Sequence, residues 1–120
     1  IKMLFVQYPK CTTCKKAGAW LAGQGISYED RNIKEDNPTA QELKAWAQKS
    51  GLPARKFFNT SGQRYRELGL KDKLDQMTED EMFELLATDG MLVKRPLLVM
   101  EDGVCIGFKE AEWQKAVKTL

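Results

Sequence analysis

Two cysteines separated by two residues are the part of this 120-residue chain best suited to covalent chemistry. Cys11 and Cys14 follow a short apolar run, at the point where the pattern changes from strand to helix. The unpaired N–H groups at a helix start favour a thiolate over a thiol, and the positive charges of Lys10, Lys15 and Lys16 act in the same direction. We therefore expect Cys11 to be the exposed nucleophile and Cys14, one turn further in, to be the resolving thiol.

The absence of histidine excludes most alternatives to thiol chemistry. The chain has no Ser-His-Asp or Cys-His pair, no His-ligated metal and no histidine proton relay. Its three cysteines are too few for the four-ligand zinc sites that thiolates and imidazoles build, so we expect no metal. The third cysteine, Cys105, lies in an alternating apolar segment at 104–108 and is predicted to pack in the core.

Charge and hydropathy limit the partners and the cellular compartment that we expect for this protein. A net charge of +2 does not indicate direct nucleic-acid binding. No apolar run approaches the ~20 residues that a membrane helix needs, and the first six residues do not form a signal peptide. We expect a cytoplasmic protein that does not enter a membrane.

The periodicity predicts a single α/β domain over residues 1–120. A strand at 3–6, a helix from Thr12 and a second strand at 27–33 form a βαβ unit. Two strands flanking a three-residue Asp-Gly turn, over 96–108, are followed by a final helix and form a ββα unit.

A helical insertion over about residues 38–90 is predicted between the two halves. Capping boxes begin at Thr39 and Thr78, and each precedes a segment with one apolar face. Gly90 occupies the position where a left-handed C-terminal cap of the second of these helices is expected.

Arg95 and Pro96 stand directly before the third predicted strand. A proline is tolerated there because the missing N–H lies at the start of the strand, and a cis peptide would bring backbone opposite the cysteines. The planar guanidinium of Arg95 could stabilise a thiolate or an oxyanion. The residues alone, however, favour the alternative that Arg95 is a solvated charge beside Lys94.

Four further motifs combine with the cysteine pair. The chain contains Tyr8-Pro9-Lys10-Cys11-Thr12-Thr13-Cys14-Lys15-Lys16-Ala17, Lys56-Phe57-Phe58-Asn59-Thr60-Ser61-Gly62, Tyr65-Arg66-Glu67-Leu68, Asp89-Gly90-Met91-Leu92-Val93-Lys94-Arg95-Pro96 and Gly107-Phe108. Together they resemble the arsenate reductase (ArsC) and Spx family of thioredoxin-fold proteins, in its CxxC-bearing, enzyme-like branch. The resemblance implies a thioredoxin-like βαβ and ββα core with a helical insertion, and an arginine followed by a cis proline at Arg95-Pro96.

The resemblance to the arsenate reductases is partial when taken position by position. Those enzymes carry one nucleophilic cysteine followed by Gly-Thr-Ser, with three arginines that bind the oxyanion. Cys11 matches the nucleophile, but Cys14 stands where those enzymes have serine. Arg95 matches one arginine, Asn59 occupies the place of another, and the 104–108 strand offers none for the third. Candidates to substitute for the missing arginines are Lys56, Arg64 and Lys109.

The sequence therefore favours a thiol–disulfide oxidoreductase of this family over a binding module. Its catalytic residues are predicted to be Cys11, Cys14 and Arg95, and its substrate pocket to be lined by Thr12, Thr13, Pro96 and Asn59. We expect no bound cofactor, glutathione, glutaredoxin or thioredoxin as electron donor, and a small thiol, an oxyanion or a redox protein as partner. The alternatives are a glutathione- or glutaredoxin-linked arsenate reductase and a Spx-like redox-sensing regulator that binds the C-terminal domain of the RNA polymerase α subunit.

Overall fold

A four-stranded mixed sheet organises the chain in a computed structural model, which describes residues 3–101 and 103–118. The strands are β1 (Leu4–Gln7), β2 (Glu29–Asn32), β3 (Leu97–Val99) and β4 (Val104–Ile106). Their order across the sheet is β2-β1-β3-β4. β1 pairs in parallel with β2, whereas β3 is antiparallel to both β1 and β4.

The helices of the described residues fall into two groups. The first group belongs to the sheet units and consists of α1 (Thr12–Gly23), between β1 and β2, and α6 (Glu110–Lys118), after β4. The second group lies between β2 and β3 and consists of α2 (Ala40–Ser50), α3 (Gln63–Glu67), α4 (Leu70–Lys73) and α5 (Glu79–Leu86). Short 3₁₀ turns at Ala54–Phe57, Leu74–Gln76 and Gly90–Leu92 connect the second group.

The two groups of helices cover opposite faces of the sheet. Successive strand residues point to opposite faces, so neighbouring apolar residues enter different cores. Phe5 and Leu98 pack with α1 and with Trp113 of α6. Val6 and Leu97 pack against the segments between β2 and β3. Because both faces of the sheet are covered, β1 and β3 carry apolar residues at consecutive positions.

The predicted order of elements is confirmed for the described residues. The βαβ unit, the intervening helices and the ββα unit follow one another as expected, although the second strand is shorter than its predicted span of 27–33. Both capping boxes form, with the hydroxyls of Thr39 and Thr78 accepting hydrogen bonds from the third helical N–H of α2 and α5. The last residue of the predicted apolar stripe of α6, Leu120, lies outside the described residues.

The predicted role of Gly90 is wrong. α5 ends at Leu86 with Ala87 as its C-cap, and Gly90 does not adopt a left-handed conformation. Instead Gly90 begins a 3₁₀ turn that approaches the end of β2, where a Cβ atom would overlap the carbonyl oxygen of Ile33. Glycine is needed there for close backbone approach, which local sequence patterns do not reveal.

Cys105 packs at the margin of the core. It lies on β4 and packs against the cluster that contains Phe5 and Trp113, as predicted, although it is only half-buried. Burial, together with the negative charge of Glu112, raises the pKa of the Cys105 thiol above its ordinary value. This cysteine therefore has the properties of a structural thiol.

A two-pronged ion pair joins the sheet to the insertion. Nη1 and Nη2 of Arg31, on β2, lie 2.6 and 2.9 Å from the two carboxylate oxygens of Glu42 on α2. The hydrogen bonds from Arg31 hold the pKa of Glu42 down at about 2. Arg31 also donates to the backbone carbonyls of Asp36 and Asn37, so one side chain fixes the connection between β2 and α2.

We predict that Glu42→Gln destabilises the protein by about 1 kcal/mol at pH 7, because the partly exposed ion pair is screened by solvent. Glutamine still completes the capping box, so the variant isolates the charge. The depressed pKa of Glu42 makes its contribution present above the ordinary carboxyl pKa and lost as the pH falls towards about 2. The free energies of unfolding of the two proteins, measured by urea denaturation from pH 7 downwards, should therefore converge. The control Lys44→Gln, which breaks an exposed pair with Asp80, should change stability by less than about 0.5 kcal/mol. A constant difference at every pH would contradict the assignment.

We predict that Gly90→Ala destabilises the protein by about 2–4 kcal/mol, because the added methyl group displaces one backbone segment from another. The matched control is Gly23→Ala at the end of α1, where a Cβ meets nothing within 4 Å. That substitution should be neutral or stabilising by up to about 1 kcal/mol. Thermal and urea unfolding measure both variants, and equal stability of the two would refute the close-approach argument.

Candidate active site

Cys11 is the N-cap residue of α1. Its backbone is extended, with φ −88° and ψ 125°, and its N–H donates to the carbonyl of Tyr8 at 3.0 Å. The first turn of α1 contains no acidic residue, so no nearby carboxylate cancels the partial positive charge of the helix start. The predicted placement of Cys11 at the boundary between strand and helix is confirmed.

Several groups combine to stabilise the thiolate of Cys11. Partial burial by itself raises the pKa of this thiol, but hydrogen bonds from the backbone N–H and the thiol of Cys14 oppose it. The positive charge of Arg95 and the backbone N–H of Thr13 act in the same direction, and the net result is a pKa below the ordinary value. Cys11 is therefore the more acidic member of the pair.

Cys14 has the opposite character. It is 1% exposed, and burial raises its pKa to about 12, with a further contribution from the neighbouring Cys11 sulfur. The backbone N–H of Tyr8 donates to its Sγ atom at 3.4 Å, but this hydrogen bond does not outweigh burial. Neither cysteine forms a disulfide, and the thiol of Cys14 is among the groups that lower the pKa of Cys11. The surroundings thus favour the thiolate form of Cys11 and the protonated form of Cys14.

The antiparallel pairing of β1 and β3 brings Arg95 to the cysteines. Val6 pairs with Leu97, so Tyr8 and Arg95 each lie two residues beyond the last strand pair, at the same end of the sheet. The guanidinium carbon of Arg95 lies 5.4 Å from the centre of the Tyr8 ring. Its Nε and Nη1 atoms are buried and have no hydrogen-bond partner within residues 3–101 and 103–118. The alternative that Arg95 is a solvated charge is therefore wrong.

Pro96, which follows Arg95, is connected by two successive hydrogen bonds to Gly107 and Trp113. The Arg95–Pro96 peptide is cis, as the resemblance implied. The carbonyl of Pro96 accepts from the N–H of Gly107 at 2.8 Å, and the carbonyl of Gly107 accepts from the indole N–H of the buried Trp113 at 2.9 Å. Gly107 has a φ of 71°, which favours glycine at this turn.

The three remaining predicted pocket residues lie in two different parts of the structure. Thr12 and Thr13 are exposed in the first turn of α1, directly beside Cys11. Asn59 lies in a loop of the insertion, where its N–H donates to the carbonyl of Leu92 at 2.8 Å. No contact among the described residues joins Asn59 to the cysteines, so its place in the pocket stays a prediction.

Of the candidates to replace the missing arginines, one is paired with carboxylates and two are exposed. Arg64 is engaged by two carboxylates, Asp89 at 3.2 Å and Glu67 at 3.8 Å. Lys56 and Lys109 are exposed. Arg95 is thus the cationic side chain for which the structure gives an electrostatic effect on Cys11.

Tyr8 is a site residue that the sequence reasoning missed. In the sequence Tyr8 is only the first residue of the motif that contains the cysteines, whereas the structure connects it to Cys11, Cys14 and Arg95. An aromatic residue three positions before a nucleophilic cysteine was the available signal. Its partner across the sheet, however, is 87 residues away in the sequence.

Neither a cluster of metal-ligating side chains nor a membrane-spanning helix occurs among the described residues. Within residues 3–101 and 103–118, no group of three or more His, Cys, Asp or Glu side chains is placed to hold a metal ion. No helix in the same part of the chain is long and apolar enough to cross a membrane.

The fold and the site together define a class of protein. A βαβ unit followed by a ββα unit, with a CxxC pair at the first helix start and an arginine and cis proline at the same end of the sheet, makes a thioredoxin-like protein. The chain belongs to the ArsC family, whose model matches residues 6–116. The family assignment made from the sequence motifs is confirmed.

Similar proteins include family members without a stated function and a transcriptional regulator. The crystal structure of an ArsC family related protein from Bacteroides fragilis has a TM-score of 0.92 and 58% identity, covering 96% of this chain and 97% of that one. The uncharacterized protein YusI of Bacillus subtilis is 51% identical over 96% of this chain and 98% of its own length. The global transcriptional regulator Spx 2 of Bacillus cereus is 29% identical over 88% of this chain and 79% of its own length.

We predict that Arg95→Met raises the pKa of Cys11, because it removes a positive charge that stabilises the thiolate. The pH dependence of alkylation on fully reduced protein, resolved by mass spectrometry for each cysteine, measures this pKa. In the unaltered protein Cys11 should react first, while Cys14 stays protected to near pH 12. The control Arg66→Met, on the exposed surface of α3, should leave the profile unchanged. An identical Cys11 profile in the Arg95 variant would show that this arginine does not act on the thiolate.

Proposed function

We propose that the protein is a thiol–disulfide oxidoreductase in which Cys11 is the nucleophile and Cys14 is the resolving thiol. The observation that carries the proposal is the placement of the pair: Cys11 is the partly exposed N-cap residue of α1, and Cys14 is buried one turn further in. A nucleophile with a pKa below that of an ordinary thiol, followed by a second thiol in the same helix turn, suits two-step disulfide exchange.

The first step is the attack of the Cys11 thiolate on one sulfur of a substrate disulfide or glutathione adduct. A new S–S bond joins Cys11 to the substrate, the original S–S bond breaks, and one thiol leaves with a proton from solvent. Arg95 stabilises the anion before attack through its charge. Pro96, fixed through Gly107 and Trp113, forms the wall opposite the sulfur.

The second step uses a change in charge at Cys11. In the reduced protein the negative Cys11 sulfur helps to keep Cys14 protonated, after the larger effect of burial. Once Cys11 is in a mixed disulfide its charge is gone, so the Cys14 pKa falls and the Tyr8 N–H and Arg95 stabilise the emerging thiolate. Cys14 releases its proton to solvent and attacks the Cys11 sulfur, and the second substrate thiol leaves.

The product is a protein with a Cys11–Cys14 disulfide and a substrate reduced by two electrons. A thiol donor returns two electrons and two protons, and we assign this role to glutathione, glutaredoxin or thioredoxin. We place the reaction in the cytoplasm, because a catalytic disulfide that must be reduced again in each cycle suits a reducing compartment.

We predict that Cys14→Ser halts the reaction after its first step, so the variant accumulates a mixed disulfide at Cys11 that mass spectrometry detects. The Cys11→Ser variant should form no adduct and lose turnover by about a hundredfold or more. Turnover is followed by NADPH oxidation with glutathione and glutathione reductase, on hydroxyethyl disulfide and on a glutathionylated peptide. Cys105→Ser is the matched control and should retain turnover, since this thiol lies outside the site. Full turnover of Cys11→Ser would refute the mechanism.

Arsenate is tested as a substrate in the same assay. The free Nε–H and Nη1–H donors of Arg95 favour an anion in the pocket, but the other two family arginines are absent from the matching positions. We therefore expect arsenate to support much slower turnover than a disulfide. Turnover with arsenate equal to that with a disulfide would assign the protein to the arsenate reductases instead.

The second candidate function is that of a redox-sensing regulator. It is favoured by the similarity to Spx 2 of Bacillus cereus and by the cysteine pair itself. In this case oxidation would change the affinity for the C-terminal domain of the RNA polymerase α subunit, without turnover. Binding of reduced and oxidised protein to that domain, measured by calorimetry, separates the two candidates.

A further inference from the structure

Three contacts link Tyr8 to the candidate site, two through its backbone and one through its ring. The backbone carbonyl accepts from Cys11 at 3.0 Å, and the backbone N–H donates to the sulfur of Cys14 at 3.4 Å. The ring contacts the guanidinium of Arg95 at 5.4 Å. A side-chain substitution leaves the two backbone contacts possible, and so isolates the contribution of the ring.

The way in which Tyr8 holds Arg95 has a chemical consequence. A carboxylate partner binds a guanidinium through its N–H edge and occupies the donors. An aromatic ring attracts the cation without using those donors. The Nε and Nη1 atoms of Arg95 are indeed buried without a partner in the described part of the chain, on the residue whose charge acts on both cysteines. Arg95 is therefore held by the ring of Tyr8 while two of its buried donors stay without a partner in the described residues.

We propose that Tyr8 is a positioning residue, whose aromatic ring holds Arg95 so that its free donors attract an anionic group to the Cys11 sulfur. The inference rests on the proposed function, in which Cys11 is the nucleophile, and adds how the site selects a substrate. Reactants with a carboxylate or another anionic group close to the attacked atom are favoured over neutral ones of the same size. The phenolic hydroxyl has no part in this role.

The test compares two alkylating reagents of similar size, iodoacetate and iodoacetamide. Each forms an S–C bond to the Cys11 thiolate and releases iodide, so neither needs an oxidant or reductant. Both consume the same thiolate, and the ratio of their rate constants therefore cancels any change in its population. The ratio reports the attraction of an anion to the sulfur, which a purely structural role of Tyr8 does not alter.

Tyr8→Leu should lower the ratio of iodoacetate to iodoacetamide rate constants by about two- to tenfold, the range expected for a lost cation–π contact. Leucine keeps the apolar packing of this half-buried position against the neighbouring core. Tyr8→Phe should retain the ratio of the unaltered protein, and Tyr8→Trp should retain or increase it. Tyr65→Leu, an aromatic substitution beside the same core but against Phe58, should have no effect.

A double-mutant cycle shows whether the ring acts through Arg95. Arg95→Met should lower the ratio, and Tyr8→Leu should then cause no further decrease. The inference is overturned if Tyr8→Leu leaves the ratio unchanged, if Tyr8→Phe lowers it equally, or if the leucine effect persists in the Arg95→Met background. Should the leucine variant not fold, the phenylalanine and tryptophan variants decide, since a lower ratio in both excludes a role for the ring.

The outcome is separable from that of the proposed function. Alkylation requires only an accessible Cys11 and is measurable above the ordinary thiol pKa of about 8.5, even if Cys11 is not acidic. A Tyr8-dependent ratio without disulfide turnover would retain the positioning role and reject the oxidoreductase. Turnover with a ratio that is independent of Tyr8 would do the reverse.

Discussion

The antiparallel pairing of β1 with β3 is the constraint on which the candidate site depends. It places Tyr8, directly after the first strand, across from Arg95, two residues before the third, because Val6 pairs with Leu97. Without this pairing the start of α1 would carry a reactive thiol but no cation. With it, Cys11 and Arg95 share one end of the sheet, although they are 84 residues apart in the chain.

The sheet can hold this register because its central strands are buried on both faces. α1 and α6 cover one face, and the segments between β2 and β3 cover the other. Shifting β3 by one residue would exchange Leu97 and Leu98 between the two cores and move Arg95 away from Tyr8. The insertion is tied to the sheet at Gly90 and through the pair of Arg31 and Glu42, so the covering of the second face has fixed attachments.

The pKa values of the two cysteines differ because the two side chains are buried to different extents. Both lie at the same helix start, yet Cys11 is half-buried with donors directed at it and Cys14 is almost inaccessible. Low dielectric surroundings penalise the charged form, so burial makes Cys14 a poor nucleophile until the charge on its neighbour is removed. The order of events in the proposed reaction follows from this asymmetry.

The sequence by itself determined the family, the order of strands and helices, and which cysteine is the candidate nucleophile. These depend on local information: hydrophobic period, capping boxes at Thr39 and Thr78, and a CxxC motif at a strand-to-helix boundary. Only the tertiary structure decided the role of Gly90, the half-burial of Cys105, and the contact between Tyr8 and Arg95. Each of these depends on contact between segments that are distant in the chain. Such contacts are set by the register of strand pairing and by the packing of helices on the sheet, which local sequence patterns do not encode.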